Sequence, residues 1–266
     1  MRLWLCAAFS AALTAFVVPP AAAQYDGATP AAPATQVDLE LALLADATGS
    51  IDDAEILFQR QGYAEALRDP ILIRAMTAGR FGRVALLYME WADQDSQEVV
   101  VDWTVIDGEA SAAAFAEKLM TTPRRAYGRN AIGSAILAGV AQIEGNAFAG
   151  DRKIIDFAGD SANSYNDVPI SEARAAALAA DITINGLAML CRASGCSGRP
   201  VVYDLEEAYR TQIIGGDGAF VITADGPETF ADAVRRKLFL EVSGRTPASR
   251  LAFDAPAPGA ESPAAR

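Results

Sequence analysis

Apolar segments of strand length alternate with segments of helical periodicity through most of this 266-residue chain. Runs rich in Leu, Val and Ile predict strands at 37–45, 84–91, 98–106, 153–158, 182–189 and 219–223. Helical spacing predicts helices at 52–67, 110–120, 131–143, 171–180 and 227–240. The second and third strands are close enough to form a hairpin. The pattern predicts an α/β fold with a doubly wound, mostly parallel, Rossmann-like sheet, helices on both faces and one antiparallel edge hairpin.

The first residues have the composition of a secretory signal peptide. Arg2 precedes an uncharged apolar run over 3–18, and small residues at 21–23 offer a cleavage site. We therefore predict a signal peptide over 1–23 and a periplasmic or secreted protein without stable membrane insertion after cleavage. Because the run is short for a membrane span, an uncleaved anchor is the alternative rather than the main interpretation. The rest is predicted to comprise a flexible lead-in at 24–36, one domain at 37–245 and a disordered Pro/Ala-rich tail at 246–266.

The chain has no histidine, and its 34 acidic side chains outnumber 22 basic ones, which gives a net charge of −12. The lack of histidine excludes Ser-His-Asp and Cys-His catalysis and histidine-ligated zinc. The excess of acids disfavours nucleic acid as a partner, because phosphate backbones are bound by basic surfaces. Any metal ion would be held mainly by oxygen ligands, which favours Mg²⁺, Ca²⁺ or Mn²⁺.

Two cysteines remain after the predicted cleavage, Cys191 and Cys196, with four residues between them. An even pair in an oxidising compartment predicts a disulfide between them. The alternative is a pair of reduced thiols.

Oxygen-bearing side chains collect where predicted strands end. Asp46, Thr48 and Ser50 follow the first strand within Asp-Ala-Thr-Gly-Ser, and Asp160 follows the strand at 153–158. Ligands of parallel α/β sheets bind at the carboxyl ends of the strands, so these side chains are candidates for one site. The alternative is that Ser50 or a neighbouring acid only caps the next helix.

One acid lies inside a predicted strand rather than at its end. Asp156 occupies the middle of the apolar run at 153–158, where an unpaired carboxylate would be costly. We expect a structural acid that is hydrogen-bonded to a neighbouring loop, not a metal ligand.

The Asp-x-Thr-x-Ser loop resembles the first element of the metal-ion-dependent adhesion site of von Willebrand factor A domains, which is Asp-x-Ser-x-Ser. A second element is similar in residues 128–133, where Asn130 stands at the position of a threonine in that family. The third element, an aspartate after the fourth strand, is matched by Asp160 in Gly-Asp-Ser. The chain thus resembles a von Willebrand factor A-like domain with a variant site, and is similar to an uncharacterised bacterial exported group.

The resemblance implies a divalent cation, with Mg²⁺ as the main expectation and Ca²⁺ or Mn²⁺ as alternatives. It implies direct coordination by Thr48, Ser50 and Asn130, while Asp46 and Asp160 act mostly through water. Neutral ligands would leave the ion electrophilic, so an open position could accept an Asp or Glu side chain of a protein partner. The side chains expected at the rim of the site, in contact with that partner, are Arg129, Glu90, Trp91 and Asn163.

The leading functional hypothesis is therefore an exported, non-enzymatic binding module that engages an acidic side chain of a protein partner through a divalent cation. One alternative is a metal-free scaffold, in which Asn130 weakens the site or Arg129 turns inward and replaces the cation. Another is a metal-dependent hydrolase that uses Asp46 and Asp160. Against the hydrolase, the sequence has no histidine base, no Gly-x-Ser-x-Gly elbow and no phosphate-binding Gly-rich loop.

Overall fold

The computed structural model describes residues 34–165, 167–190 and 202–247. The predicted signal peptide, the cysteine pair Cys191 and Cys196, and all but the first two residues of the predicted tail lie outside these ranges. Across the described residues, no helix is both long and apolar enough to cross a bilayer.

The described residues contain a six-stranded central sheet and a small two-stranded one. The strands are β1 (Thr35–Val37), β2 (Leu39–Asp46), β3 (Val84–Trp91), β4 (Gln97–Ile106), β5 (Phe148–Gly150), β6 (Lys153–Gly159), β7 (Thr183–Met189) and β8 (Val221–Ala224). The central sheet has the order β4-β3-β2-β6-β7-β8, and β1 pairs with β5. All neighbours in the central sheet are parallel except β3 and β4, which form the antiparallel edge hairpin. The predicted fold class is confirmed.

Helices cover both faces of the central sheet. They are α1 (Asp53–Ala66), α2 (Pro70–Met76), α3 (Glu109–Thr121), α4 (Ile132–Glu144), α5 (Ile170–Ala179), α6 (Leu205–Ala208) and α7 (Pro227–Ser243), and a π-helical turn (Tyr209–Ile213) follows α6. One apolar core lies between the sheet and α1, α2, α3 and α7, and a second lies between the sheet and α4, α5 and α6.

The central strand β2 shows why the sheet is buried on both sides. All eight of its residues are buried. Leu41 and Leu43 belong to the first core, whereas Ala42 and Leu44 belong to the second, because successive side chains of a strand point to opposite faces. A strand covered on both faces is therefore apolar almost continuously, which is the pattern that predicted it.

Several boundaries differ from the sequence prediction. The predicted lead-in is wrong at its end, since Thr35 and Gln36 belong to β1 and pair with β5. The short helix α2 was not predicted, although Asp69 caps its start by accepting the Ile71 N–H at 2.7 Å. The last helix continues to Ser243, where Gly244 ends it in a left-handed conformation with φ of 66°.

A buried charged cluster joins β6 to α7. Lys237 Nζ lies 2.6 Å from Asp156 Oδ1 and 2.6 Å from Glu241 Oε1, and all three side chains are buried. Asn185 of β7 donates to Glu241 Oε1 at 3.0 Å. The interpretation of Asp156 as a structural acid agrees with this pairing, but its partner is a helical lysine and not a loop.

Candidate metal centre

The loop after β2 brings its polar side chains together by local hydrogen bonds. Asp46 is fully buried, and its Oδ1 accepts the Thr48 N–H at 2.8 Å. The hydroxyl oxygens of Thr48 and Ser50 lie 3.1 Å apart. Asp52, not Ser50, caps α1 by accepting the Ala54 and Glu55 N–H groups at 2.9 Å. The hydroxyl of Ser50 is therefore not used as the helix cap.

Asp160 reaches the same loop because β6 is the parallel neighbour of β2. Its backbone N–H donates to Asp46 Oδ2 at 3.3 Å. Its carboxylate is hydrogen-bonded by the side chain of Ser50. Two carboxyl groups and two hydroxyls from separate strand ends thus meet in one cluster.

The surroundings of Asp46 and Asp160 disfavour the ionised form of both carboxyl groups. Burial, and then the charge of Asp160, raises the pKa of Asp46 to about 8. Burial also raises the pKa of Asp160 above its ordinary value, although the hydrogen bond from Ser50 acts in the opposite direction. Neither carboxyl forms an ion pair with a lysine or arginine of the described residues. A divalent cation would supply the charge that this pair lacks.

The donor set also fits a hard cation. The cluster offers carboxylate and hydroxyl oxygens, which are ligands typical of Mg²⁺, Ca²⁺ and Mn²⁺. The cluster is not a site with three or more acidic ligands, since no group of three or more acids or cysteines within the described ranges has metal-site geometry. The residues present therefore fit a site with few charged ligands.

The loop that carries Asn130 lies against the loop after β2. Gly49 donates its N–H to Gly128 O at 2.8 Å, and Ala131 donates to Ala92 O at 2.9 Å. Asn130 is half-buried, and its backbone carbonyl accepts the Tyr165 N–H at 2.9 Å. These bonds hold the Asn130 loop beside the cluster through backbone contacts.

Two predicted rim residues are exposed at this edge. Arg129 is exposed and makes no ion pair with any acid in the described ranges. Asn163 is exposed on the loop after Asp160, and its Nδ2 donates to the Tyr203 hydroxyl at 3.4 Å.

The prediction that Glu90 and Trp91 contact a partner is wrong, because both side chains are fully buried. Glu90 accepts two hydrogen bonds from the buried Arg60 of α1, at 2.7 and 2.9 Å. Trp91 stacks on Phe157 with a ring separation of 4.9 Å and donates to Ala158 O at 3.2 Å. Both residues therefore belong to the interior of the fold and not to the rim of the site.

Arg124 is a site residue whose position the sequence did not indicate. Its guanidinium donates to Ala47 O at 2.7 Å and to Ala126 O at 3.1 Å, and it lies over the Tyr127 ring at 4.6 Å. Only 11% of its side chain is exposed. It therefore bridges two site loops through their backbone carbonyls.

The Tyr209 side chain contacts the end of β6. Its buried hydroxyl donates to Gly159 O at 2.9 Å. A Cβ atom at Gly159 would lie 2.9 Å from that hydroxyl oxygen and 3.1 Å from Asp46 Oδ2. The glycine before Asp160 indicates in the sequence that other atoms approach the backbone closely there. The sequence does not indicate that Tyr209 is one of them, because Tyr209 lies in a π-helical turn without a periodic pattern.

Comparison with known families gives one match. A family model described as "Protein of unknown function (DUF1194)" matches residues 36–246. The chain belongs to the DUF1194 family. The search of curated proteins finds no match to this DUF1194 chain.

Solved structures similar to this DUF1194 chain share its fold at low sequence identity. Proximal thread matrix protein 1 from the mussel byssus is 13% identical with a TM-score of 0.52, and 80% of this chain aligns with 49% of it. A von Willebrand factor type A protein from Catenulispora acidiphila is 16% identical with a TM-score of 0.52, and 78% of this chain aligns with 43% of it. The pilus adhesin SpaC from Lactobacillus rhamnosus GG is 13% identical with a TM-score of 0.52, and 79% of this chain aligns with 30% of it.

These similarities confirm the von Willebrand factor A-like fold. The DUF1194 chain spans less than half the length of each of the three proteins. One further structure of the mussel protein, with a TM-score of 0.50 and 14% identity, is described with a zinc-occupied metal-ion-dependent adhesion site.

Proposed function

We propose that this DUF1194 protein is an exported, periplasmic or secreted, non-enzymatic binding module that engages a protein partner through a divalent cation. The observation that carries the proposal is the buried pair Asp46 and Asp160, whose carboxyl groups meet beside two hydroxyls without a basic counter-charge from the described residues. A bound cation offsets the repulsion between the two acids and the cost of their burial.

The resemblance assigns the residues that would hold the cation, and the contacts between the loops after β2 and β6 support part of that set. Thr48, Ser50 and Asn130 would bind it directly, and Asp46 and Asp160 would act mainly through water. When bound, a divalent cation supplies positive charge and a coordination position that a carboxylate oxygen can take. Oxygen ligands favour Mg²⁺, with Ca²⁺ or Mn²⁺ as alternatives, and the zinc of the mussel protein makes Zn²⁺ worth testing.

The chemistry of the partner follows from charge. A protein with a net charge of −12 repels an acidic ligand unless local positive charge outweighs the general field. The cation would supply that charge. The exposed Arg129, in the loop that carries Asn130, would add to it. We therefore infer a protein partner that presents an Asp or Glu side chain to the cation.

A hydrolytic role is less compatible with the geometry of Asp46. The carboxylate is fully buried, and each of its oxygens accepts a backbone N–H. An aspartyl nucleophile must reach its substrate, and this side chain is instead fixed inward. The polar cluster is therefore suited to holding an ion.

Calorimetric titration of the protein with Mg²⁺, Ca²⁺, Mn²⁺ and Zn²⁺ tests the proposal. We expect saturable binding of one ion and a rise in melting temperature, both lost in Asp46→Asn. Asp95→Asn is the matched control, because Asp95 is an exposed acid in the turn between β3 and β4 and undergoes the same change of side chain away from the cluster. The absence of binding for all four metals would support the metal-free alternative, and equal binding by Asp46→Asn would place the ion elsewhere.

A further inference from the structure

A polar cleft adjoins the candidate metal centre on the side of Asp160. It consists of two depressions of about 550 and 350 Å³ that share Ala162, Asn163, Thr211 and Gln212 in their walls. We call it the Asn163 cleft. Ala162 and Asn163 follow Asp160 by two and three residues, so the cleft adjoins the loop that carries Asp160.

The larger depression carries a positive charge that has a fixed position. Arg174 of α5 lines it, and its Nε donates to Ile214 O at 2.6 Å. Arg174 makes no ion pair with any acid of the described residues, in a protein whose acids far outnumber its bases. Among the described residues, only Nε of this guanidinium has a hydrogen-bond acceptor, so the two terminal nitrogens can bind a carboxylate from outside.

The opposite wall of the cleft is fixed relative to Asp160. The Tyr203 hydroxyl accepts the Ala162 N–H at 2.9 Å, which ties the loop after Asp160 to the segment before α6. The smaller depression contains the acids Asp204 and Glu207. Of the two depressions, only the larger combines neutral hydroxyls and amides with an arginine, so it is the one that suits an acidic group.

We propose that the Asn163 cleft binds the continuation of an acidic partner segment, with Arg174 taking a second carboxylate up to about four residues from the one at the cation. The spacing follows from the chain itself. Asp160 and Ser164, which lines the larger depression together with Arg174, are four residues apart, so their Cα atoms lie within about 14 Å of each other. An extended partner segment of four residues can span that distance. The inference rests on the proposed function, because the first carboxylate is placed at the cation.

Synthetic peptides test the spacing directly. The probes are glycine heptapeptides with one Asp, and the same peptides with a Glu one, two, three, four or five positions from that Asp, all titrated into the full chain with Mg²⁺. We expect a Glu at two to four positions to tighten binding about tenfold over the peptide with one acid. A second acid should otherwise weaken binding, because the whole protein repels it.

Two variants assign the gain to the cleft. Arg174→Gln and the cleft-filling Ser171→Trp should each abolish the gain while leaving the affinity of the single-Asp peptide unchanged. The matched controls are Arg68→Gln, an exposed arginine after α1, and Ala175→Trp, an exposed position on α5 outside the cleft lining; both should keep the gain.

The outcomes separate the two proposals. If the single-Asp peptide binds with Mg²⁺ but no spacing improves affinity, or the gain survives Arg174→Gln, the role of the cleft is refuted and the cation function stands. If no peptide binds in Mg²⁺ while the metal itself binds, the recognition of an acidic side chain is refuted and the inference falls with it.

Discussion

The buried cluster of Glu241, Lys237 and Asp156 predicts that the protein loses stability as the pH rises from 5 to 9. Burial, followed by the charge of Asp156, raises the pKa of Glu241 to about 8, although Lys237 acts in the opposite direction. Two carboxyl groups share one ammonium in this cluster. The folded protein therefore holds a proton on Glu241 near neutral pH, which the unfolded chain does not.

The sign and the magnitude follow from linkage. A carboxyl group with a folded pKa of about 8 and an ordinary value of 4.5 stabilises the fold fully below pH 4.5, and this stabilisation is lost as the pH rises through 8. The difference corresponds to about 5 kcal/mol of unfolding free energy, or about 1.4 kcal/mol for each pH unit between the two values. Near pH 9 the protein should retain the packing of the cluster but carry an uncompensated buried charge.

Urea unfolding at pH 5, 7 and 9 in EDTA, followed by circular dichroism, measures this effect with Glu241→Gln. The amide cannot ionise but keeps an oxygen for Lys237 and Asn185, so the variant should be close to the parent at pH 5 and more stable than it at pH 9. The raised pKa of Asp46 adds the same slope to both proteins, so their difference isolates Glu241. Glu144 is an exposed glutamate at the end of α4, and Glu144→Gln is the control. Its unfolding free energy should depend on pH as that of the parent does.

The reasoning would be refuted by parallel pH profiles of the parent and Glu241→Gln. Parallel profiles would mean that Glu241 is ionised in the folded protein at every pH tested, with Lys237 compensating both acids.

Three further changes test residues around the metal centre. Glu90→Gln should cost about 3–5 kcal/mol of unfolding free energy in urea, because it leaves the charge of Arg60 buried without its partner. Metal affinity should stay the same, and a loss of stability below about 1 kcal/mol would contradict the structural role of Glu90. Gly159→Ala should weaken metal binding at least about tenfold by calorimetry, since its Cβ meets the oxygens of Tyr209 and Asp46, and unchanged affinity would refute that contact. Arg124→Met should loosen the two loops it bridges and weaken metal binding without abolishing the fold, and increased hydrogen exchange at those loops would confirm it.

The arrangement of Asp46 and Asp160 could be predicted from the sequence because it follows from strand order. Both acids end buried parallel strands, and parallel neighbours present their carboxyl ends at the same edge of a sheet. No side-chain contact had to be known for that inference.

The positions of Glu90 and Arg124 could not be predicted in the same way. Glu90 lies near the end of an apolar strand, where the sequence predicts a residue at the rim of the site, but its partner Arg60 comes from a helix 30 residues earlier in the chain. Arg124 lies in a loop of ordinary polar composition, and only the approach of Ala47 turns it into a bridge. Pairings between distant residues leave no periodic signal, so burial of these charges appears only in the folded chain.

The central claim is that the cluster of Asp46, Thr48, Ser50 and Asp160 holds a divalent cation. The most direct measurement is an anomalous diffraction map from crystals of the protein grown with Mn²⁺. The account predicts one strong peak within coordination or water-bridged distance of the Thr48 and Ser50 hydroxyls, which disappears in crystals of Asp46→Asn. A map without a peak at this cluster, from crystals in which Mn²⁺ is bound elsewhere or not at all, would contradict it.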